Sequence, residues 1–141
     1  MQVSSITGGL ILFLTFTIQA VELDGRLLDA IELVESGGRF DAVGDGGMSI
    51  GAYQLTKAYV RDVNRIYDTA YTDRDRMNKR RSREMTYAYL LYYGRVYERR
   101  TGKIATYEVL SRIHNGGPYG MYKQSTNHYW RKVEKVLRCR Q

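Results

Sequence analysis

Cysteine occurs once in the 141 residues, at Cys139, so no disulfide can close within the chain. A lone thiol near a C-terminus is either free or pairs between chains. Histidine is nearly as scarce, with only His114 and His128. That excludes a zinc cluster, which needs several such ligands at fixed spacings, and no metal is expected. Asp41 to Gly47 lacks the alternating oxygen ligands of a calcium loop, and Gly44-Asp45-Gly46 does not continue into a dinucleotide loop. No phosphate loop leads into Lys103 either, so no cofactor is expected. Proline occurs once, at Pro118; there is no linker, repeat or low-complexity segment, and a chain of this length is expected to make one domain with a real core. No Asn-x-Ser/Thr acceptor is present.

Charge is missing from residues 1–20, where Leu10 to Ile18 are apolar apart from Thr15 and Thr17. The run is too short to span a bilayer, and Gln19-Ala20 ends it on a small residue. It reads as a secretory signal peptide, leaving residues 21–141 as a single secreted, extracellular domain with no stable membrane insertion. The remaining chain keeps the whole net charge of +7. Such a balance favours anionic partners, here a bacterial envelope surface; no nucleic-acid partner is expected.

What is present centres on Glu35 to Leu55. Leu27, Leu28, Ile31 and Val34 fall on one helix face, Glu35 follows, and Gly37-Gly38 stop the helix. A carboxylate there faces the negative end of the helix dipole beside apolar neighbours, which favours its protonated form. Asp45, ten residues on, sits among glycines where nothing opposes ionisation. An acid that keeps its proton and a partner that has lost one are the requirements of glycoside hydrolysis.

Downstream, Thr56 caps a helix with Tyr59, Val60, Val63, Ile66 and Tyr67 on its inner side. Residues 68–75 read as a loop. A long helix is expected over about 75–100, with Met77, Met85, Tyr89, Tyr92, Tyr93, Val96 and Tyr97 inward. Its basic run, Lys79 to Arg83, reads as a solvated face, with docking onto a polyanion as the functional alternative. Gly102 ends it; Thr106 caps a short helix through Val109, Leu110 and Ile113; Ser125 or Thr126 caps the last, bearing Tyr129, Trp130, Val133, Val136 and Leu137. The expected fold is mainly α, in an α+β lysozyme-like sense: four or five helices around a small loop or hairpin lobe near Gly44 to Leu55, with a substrate cleft.

Four motifs in order then carry a resemblance: Glu35-Ser36-Gly37, Ser49-Ile50-Gly51-Ala52-Tyr53-Gln54-Leu55, Arg112-Ile113-His114-Asn115-Gly116-Gly117-Pro118-Tyr119-Gly120, and Tyr129-Trp130-Arg131-Lys132-Val133. From about Leu27 to Val136 the chain resembles the invertebrate-type lysozymes, the destabilase family. The resemblance implies a lysozyme that hydrolyses the β-1,4 bond between N-acetylmuramic acid and N-acetylglucosamine in bacterial peptidoglycan. It implies Glu35 as proton donor and Asp45 as nucleophile or electrostatic partner. Alignment on Ser49-Ile50-Gly51 puts the family's acid at Gly44, one place before Asp45, with Asp41 as the fallback. Ser49, Tyr53, Gln54, His114, Asn115 and Gly116 are the expected substrate-binding residues; for Gln54 a buried amide holding the loop is the competing reading, and Trp130 is expected to pack inward. The family is rich in disulfides, whereas this chain must be held by packing. Two other activities fit the same motifs: isopeptide hydrolysis through Ser49 and His114, and non-catalytic glycan binding by a cationic surface.

Overall fold

The computed structural model describes residues 23–139, so the expected signal peptide lies outside the described residues. Helix α1 (Gly25–Ser36) starts where Asp24 accepts hydrogen bonds from the amides of Arg26 and Leu27, and ends where Gly37 turns left-handed at φ 65°. Its buried face carries Leu27, Leu28, Ala30 and Ile31, and it packs against α5 (Asn127–Cys139), α4 (Tyr107–Gly116) and α3 (Lys79–Thr101). Helix α2 (Lys57–Tyr67) closes the bundle against α3. Thr56 and Thr106 cap α2 and α4 as expected, accepting from the amides of Tyr59 and Val109, and Gly102 ends α3. The architecture among the described residues is thus mainly helical, five α-helices with a small two-stranded hairpin.

That hairpin is strand β1 (Val43–Gly44) antiparallel to β2 (Ser49–Ile50), with Val43 opposite Ile50 and Gly44 opposite Ser49. Three polar ties replace the missing disulfides around it. The hydroxyl of Ser36 donates to the carbonyl of Ala52 at 2.8 Å, joining the end of α1 to the hairpin. The guanidinium of Arg76, only 4% exposed, donates to the carbonyls of Met48 and Leu55 at 3.1 and 3.0 Å. Arg83 reaches Asp29 at 2.6 Å and the Tyr53 hydroxyl at 2.9 Å. Between the helices, Tyr59 stacks on Tyr89 at 3.9 Å between ring centroids. Val63, Leu90, Leu110, Ile113 and Val133 fill the core, and Trp130 packs against it as expected.

Several expectations are corrected. Helix α3 begins at Lys79, not near Asp75: Thr72 donates through both its amide and its hydroxyl to Asp75, which closes a separate 3-10 turn over Asp73–Met77. Asn78 then caps α3 by accepting from the Arg81 amide. Met77, expected inward, is exposed on that turn, and Tyr67 is exposed as well. The last helix has no Ser125 or Thr126 cap. The Thr126 hydroxyl lies 2.8 Å from the carbonyls of Gly120 and Lys123, and a 3-10 turn over Gln124–Thr126 leads directly into α5. The basic run is solvated only at Lys79, Arg80 and Arg81; Ser82 is buried and Arg83 is engaged with α1.

Candidate active site

The Glu-Ser-Gly sequence has a separate task for each residue. Glu35, on the last turn of α1, projects into a cleft of about 900 Å³. Ser36 pins the helix end to the hairpin, and Gly37 supplies the left-handed turn that α1 needs to stop there. Asp45 lines the same cleft from the hairpin tip. It holds a positive φ of 49°, strained for a residue with a side chain, and the Ser49 hydroxyl fixes it by donating to Oδ2 at 2.8 Å. Ser49 is itself buried and lines the cleft. Asp41, the fallback, is exposed and paired with Arg39 at 3.4 Å, and is not among the cleft-lining residues.

His114 is buried on α4 directly behind Glu35, with Nε2 at 3.2 Å from the carboxylate Oε1. Its other ring nitrogen, Nδ1, lies 3.4 Å from the Tyr59 hydroxyl. The imidazole thus bridges a buried phenol and the carboxyl group. Burial above all, then the charge of neighbouring Tyr89, pushes the Tyr59 phenol well above its ordinary range, so it stays protonated. Tyr129, from α5, lies on the other side of the ring, at 6.2 Å between centroids. Its hydroxyl is buried beside Glu35, and burial first, then the neighbouring carboxylate, holds the phenol proton on. Asn115 lines the cleft and is exposed.

Among solved structures, the chain is similar to a chain of Aeromonas hydrophila PliI in complex with Meretrix lusoria lysozyme. Identity is 28%, the match covers 80% of this chain and 89% of that one, and the TM-score is 0.66. No protein-family model matches the chain, and no curated protein does. The likeness therefore supports the α-rich, lysozyme-like fold.

Two of the expected substrate-binding residues do not reach the cleft. Tyr53 is fully buried, its hydroxyl held between Arg83 and Glu32 (2.9 and 3.3 Å), and burial pushes its pKa up to about 12. Its ring packs beneath the hairpin because α1 and α3 sit there, and its role is structural. Gly116 faces away from the cleft, where an added Cβ would lie 2.6 Å from the Thr126 methyl. Gln54 does border the cleft, but its amide nitrogen donates to the carbonyls of Ala42 and Gly51 at 3.1 and 3.0 Å, which is the loop-holding alternative. Gly51 serves the fold in the same way: a Cβ there would lie 1.9 Å from the Arg76 carbonyl. Further lining residues carry no such signal in the sequence. Tyr59, Arg61, Asp62 and Arg65 from α2, with Tyr129 and Lys132 from α5, all line the cleft. The tyrosines sit at core spacing and are largely core; only their hydroxyl ends reveal the second task. Among the described residues no group of His, Cys, Asp or Glu is placed to hold a metal ion, and no helix is long and apolar enough to cross a membrane.

Proposed function

We propose that this protein is a lysozyme, a glycoside hydrolase that cuts the β-1,4 bond between N-acetylmuramic acid and N-acetylglucosamine in bacterial peptidoglycan, acting outside the cell. The observation that carries the reading is the meeting of Glu35 and Asp45 in one cleft, the first half-buried at a helix end, the second exposed on a pinned loop. The likeness to a chain of the PliI–lysozyme complex supports it, as do the four ordered motifs.

In this mechanism Glu35 protonates the leaving glycosidic oxygen while Asp45 attacks or stabilises the cation developing at the anomeric carbon; water then completes hydrolysis. The His114 bridge suits an acid that gives up a proton and regains it. With Glu35 ionised, Nε2–H donates to the carboxylate and Nδ1 accepts from Tyr59. With Glu35 protonated, the ring shifts tautomer: Nε2 accepts from the carboxyl and Nδ1–H donates to the phenol oxygen. Either state keeps the contacts of the chain Tyr59–His114–Glu35 hydrogen-bonded. The reading is tested by turbidity loss of a cell-wall suspension. Glu35→Gln and Asp45→Asn each abolish lysis; a fully active Glu35→Gln protein overturns the assignment.

A second reading is binding to a lysozyme, because the similar structure is a complex in which PliI and a lysozyme are both named. It is distinguished by the same assay: a chain of this second kind clears no wall by itself and slows clearance by an added lysozyme. Isopeptide hydrolysis gains no support from the geometry. Ser49 donates to Asp45, and His114 is occupied by Glu35 and Tyr59, so the hydroxyl lacks the adjacent base that would activate it.

A further inference from the structure

We propose that the turn following the Gly-Gly-Pro segment is an exosite for the glycan polymer, in which the outward-facing rings of Tyr119 and Tyr122 receive a sugar chain that continues past the cleft; this rests on the glycan reading of that cleft. Asn115, Gly117 and Pro118 line the cleft, and Tyr119 comes next, its Cα about 3.8 Å from that of Pro118. Tyr119 is 55% exposed and Tyr122 64%, whereas Tyr53, Tyr59, Tyr89 and Tyr129 are buried. Arg100, in the last turn of α3, donates to the Tyr119 hydroxyl at 3.1 Å, with its guanidinium 5.7 Å from the ring centroid. That bond holds the guanidinium above its ordinary range, and Tyr122 acts in the same direction, so both rings stand beside one cation. Arg100 takes part in no ion pair among the described residues, which leaves most of its donors open.

The rings do not face solvent because the turn is slack. Arg112 donates through Nε to the Thr126 hydroxyl at 3.0 Å and through a terminal nitrogen to the Lys123 carbonyl at 3.2 Å. Lys123 in turn donates to the Gly116 carbonyl at 2.6 Å. Gly120 lies so close to α4 that an added Cβ would stand 1.8 Å from the Arg112 carbonyl. A tightly held backbone therefore presents two amphipathic rings and a guanidinium, and a partner that meets them spends little on ordering the turn. A pyranose fits this set: its C–H face packs on a ring, and its hydroxyls accept from the guanidinium and exchange hydrogen bonds with the phenols. A protein partner fits it less well. Even fully covered, two tyrosines contribute roughly 300–500 Å², short of the roughly 800 Å² per side of a stable protein interface. The direct continuation from the cleft-lining Pro118 also favours the occupant of the cleft itself.

The experiment uses the Glu35→Gln chain, which leaves glycan uncut, and compares two ligands. One is purified peptidoglycan stripped of protein and of other wall polymers, measured by co-sedimentation. The other is a tetrasaccharide of alternating N-acetylglucosamine and N-acetylmuramic acid, measured by titration calorimetry. Adding Tyr119→Ala and Tyr122→Ala is expected to weaken binding of the polymer about fivefold for each ring and about 25-fold for the pair, with the tetrasaccharide affinity and the melting temperature unchanged. Tyr122→Phe keeps the ring and should retain most of the polymer affinity. Polymer binding that survives the double substitution, or an equal fall for both ligands, overturns the exosite. So does a double variant that keeps its polymer affinity but loses binding to an added lysozyme, which would make the surface a protein contact. A parent that binds neither ligand overturns the exosite together with the glycan reading. If polymer affinity falls as expected while Glu35→Gln still clears cell walls, the hydrolase assignment fails and the exosite stands.

Discussion

Replacing His114 by Phe separates what the imidazole does by filling space from what it does by hydrogen bonding. The ring is almost fully buried, set edge-on to Tyr59 at 5.7 Å between centroids and tilted against Tyr129. A phenyl ring occupies nearly the same volume, so these aromatic contacts survive and no large cavity forms. Both polar contacts are lost. The contact with Glu35, at 3.2 Å, involves a chargeable group and is worth about 1.5–3 kcal/mol, whereas the one with Tyr59, at 3.4 Å, is long and contributes less than about 1 kcal/mol. Urea unfolding should therefore show a loss of about 2–3 kcal/mol, with an unchanged slope.

The catalytic consequence is of a different kind. Glu35 is held from one side by α1 and from behind by His114, and its carboxyl must point at a single oxygen of the substrate. Freed from the imidazole, it samples other rotamers, and a displacement of about 1 Å costs on the order of a hundredfold in rate. In a wall-clearance or oligosaccharide assay kcat should fall roughly 10- to 100-fold while KM changes little, because His114 is too buried to meet much of the substrate. His114→Gln, whose amide can reach Glu35, should recover part of kcat without recovering the aromatic packing. A Phe variant that loses stability but keeps full kcat refutes the positioning role.

Three further outcomes follow from residues whose tasks the structure separates. Tyr53→Phe removes a hydroxyl held by Arg83 and Glu32 and should cost about 1–2 kcal/mol in urea unfolding with wall clearance intact; a large fall in activity at unchanged stability would return Tyr53 to the cleft. Gly51→Ala places a methyl 1.9 Å from the Arg76 carbonyl at a φ of 83°, and should cost at least about 3 kcal/mol, seen as a lower melting temperature; a melting temperature equal to the parent's refutes the close approach. Asp75→Asn tests a pH dependence. The Thr72 amide, chiefly, holds the Asp75 carboxyl below its ordinary range, so its stabilisation is complete above the unfolded value of about 4 and is lost as the pH falls through the lowered folded value. The variant should lose about 1 kcal/mol at pH 7, and the difference should close in acid; a gap that is constant with pH contradicts the charge-based account.

The parts of the fold legible in the sequence are those settled locally. Asp24 was not singled out, but Gly37, Thr56, Gly102 and Thr106 each act within a turn of their own position, and each punctuates a helix where the sequence places it. Hidden features depend on contacts distant in sequence. Nothing near Arg76 in sequence announces its task, because the carbonyls of Met48 and Leu55 that fold around it come from far along the chain. Gly116 falls among the expected substrate-binding residues through its motif, yet what packs against it is Thr126, and what approaches Gly51 is the Arg76 carbonyl. For the site, Glu35 and Asp45 were marked by chemistry and local context. Tyr59 and Tyr129 were not, since they carry the helical periodicity of a core, and nothing in that periodicity tells where a hydroxyl ends.

The scarcity of cysteine bears on how the two carboxyls are kept in register. Glu35 belongs to a helix and Asp45 to a hairpin with only two residues in each strand, too short to hold its place alone. Buried arginine and serine bonds to backbone carbonyls take over the task of cross-linking. Ser36 fixes the helix end to Ala52, Arg76 clamps both sides of the β2 segment, and Ser49 anchors Asp45 itself. A guanidinium keeps its charge at any pH at which the protein is folded, and its planar array of donors can hold two strands of chain at once. Such ties are also insensitive to reduction. The geometry that brings the acid and its partner to one cleft therefore depends on hydrogen bonds that form only when the surrounding core excludes water, so positioning of the site and cooperativity of folding are parts of the same design.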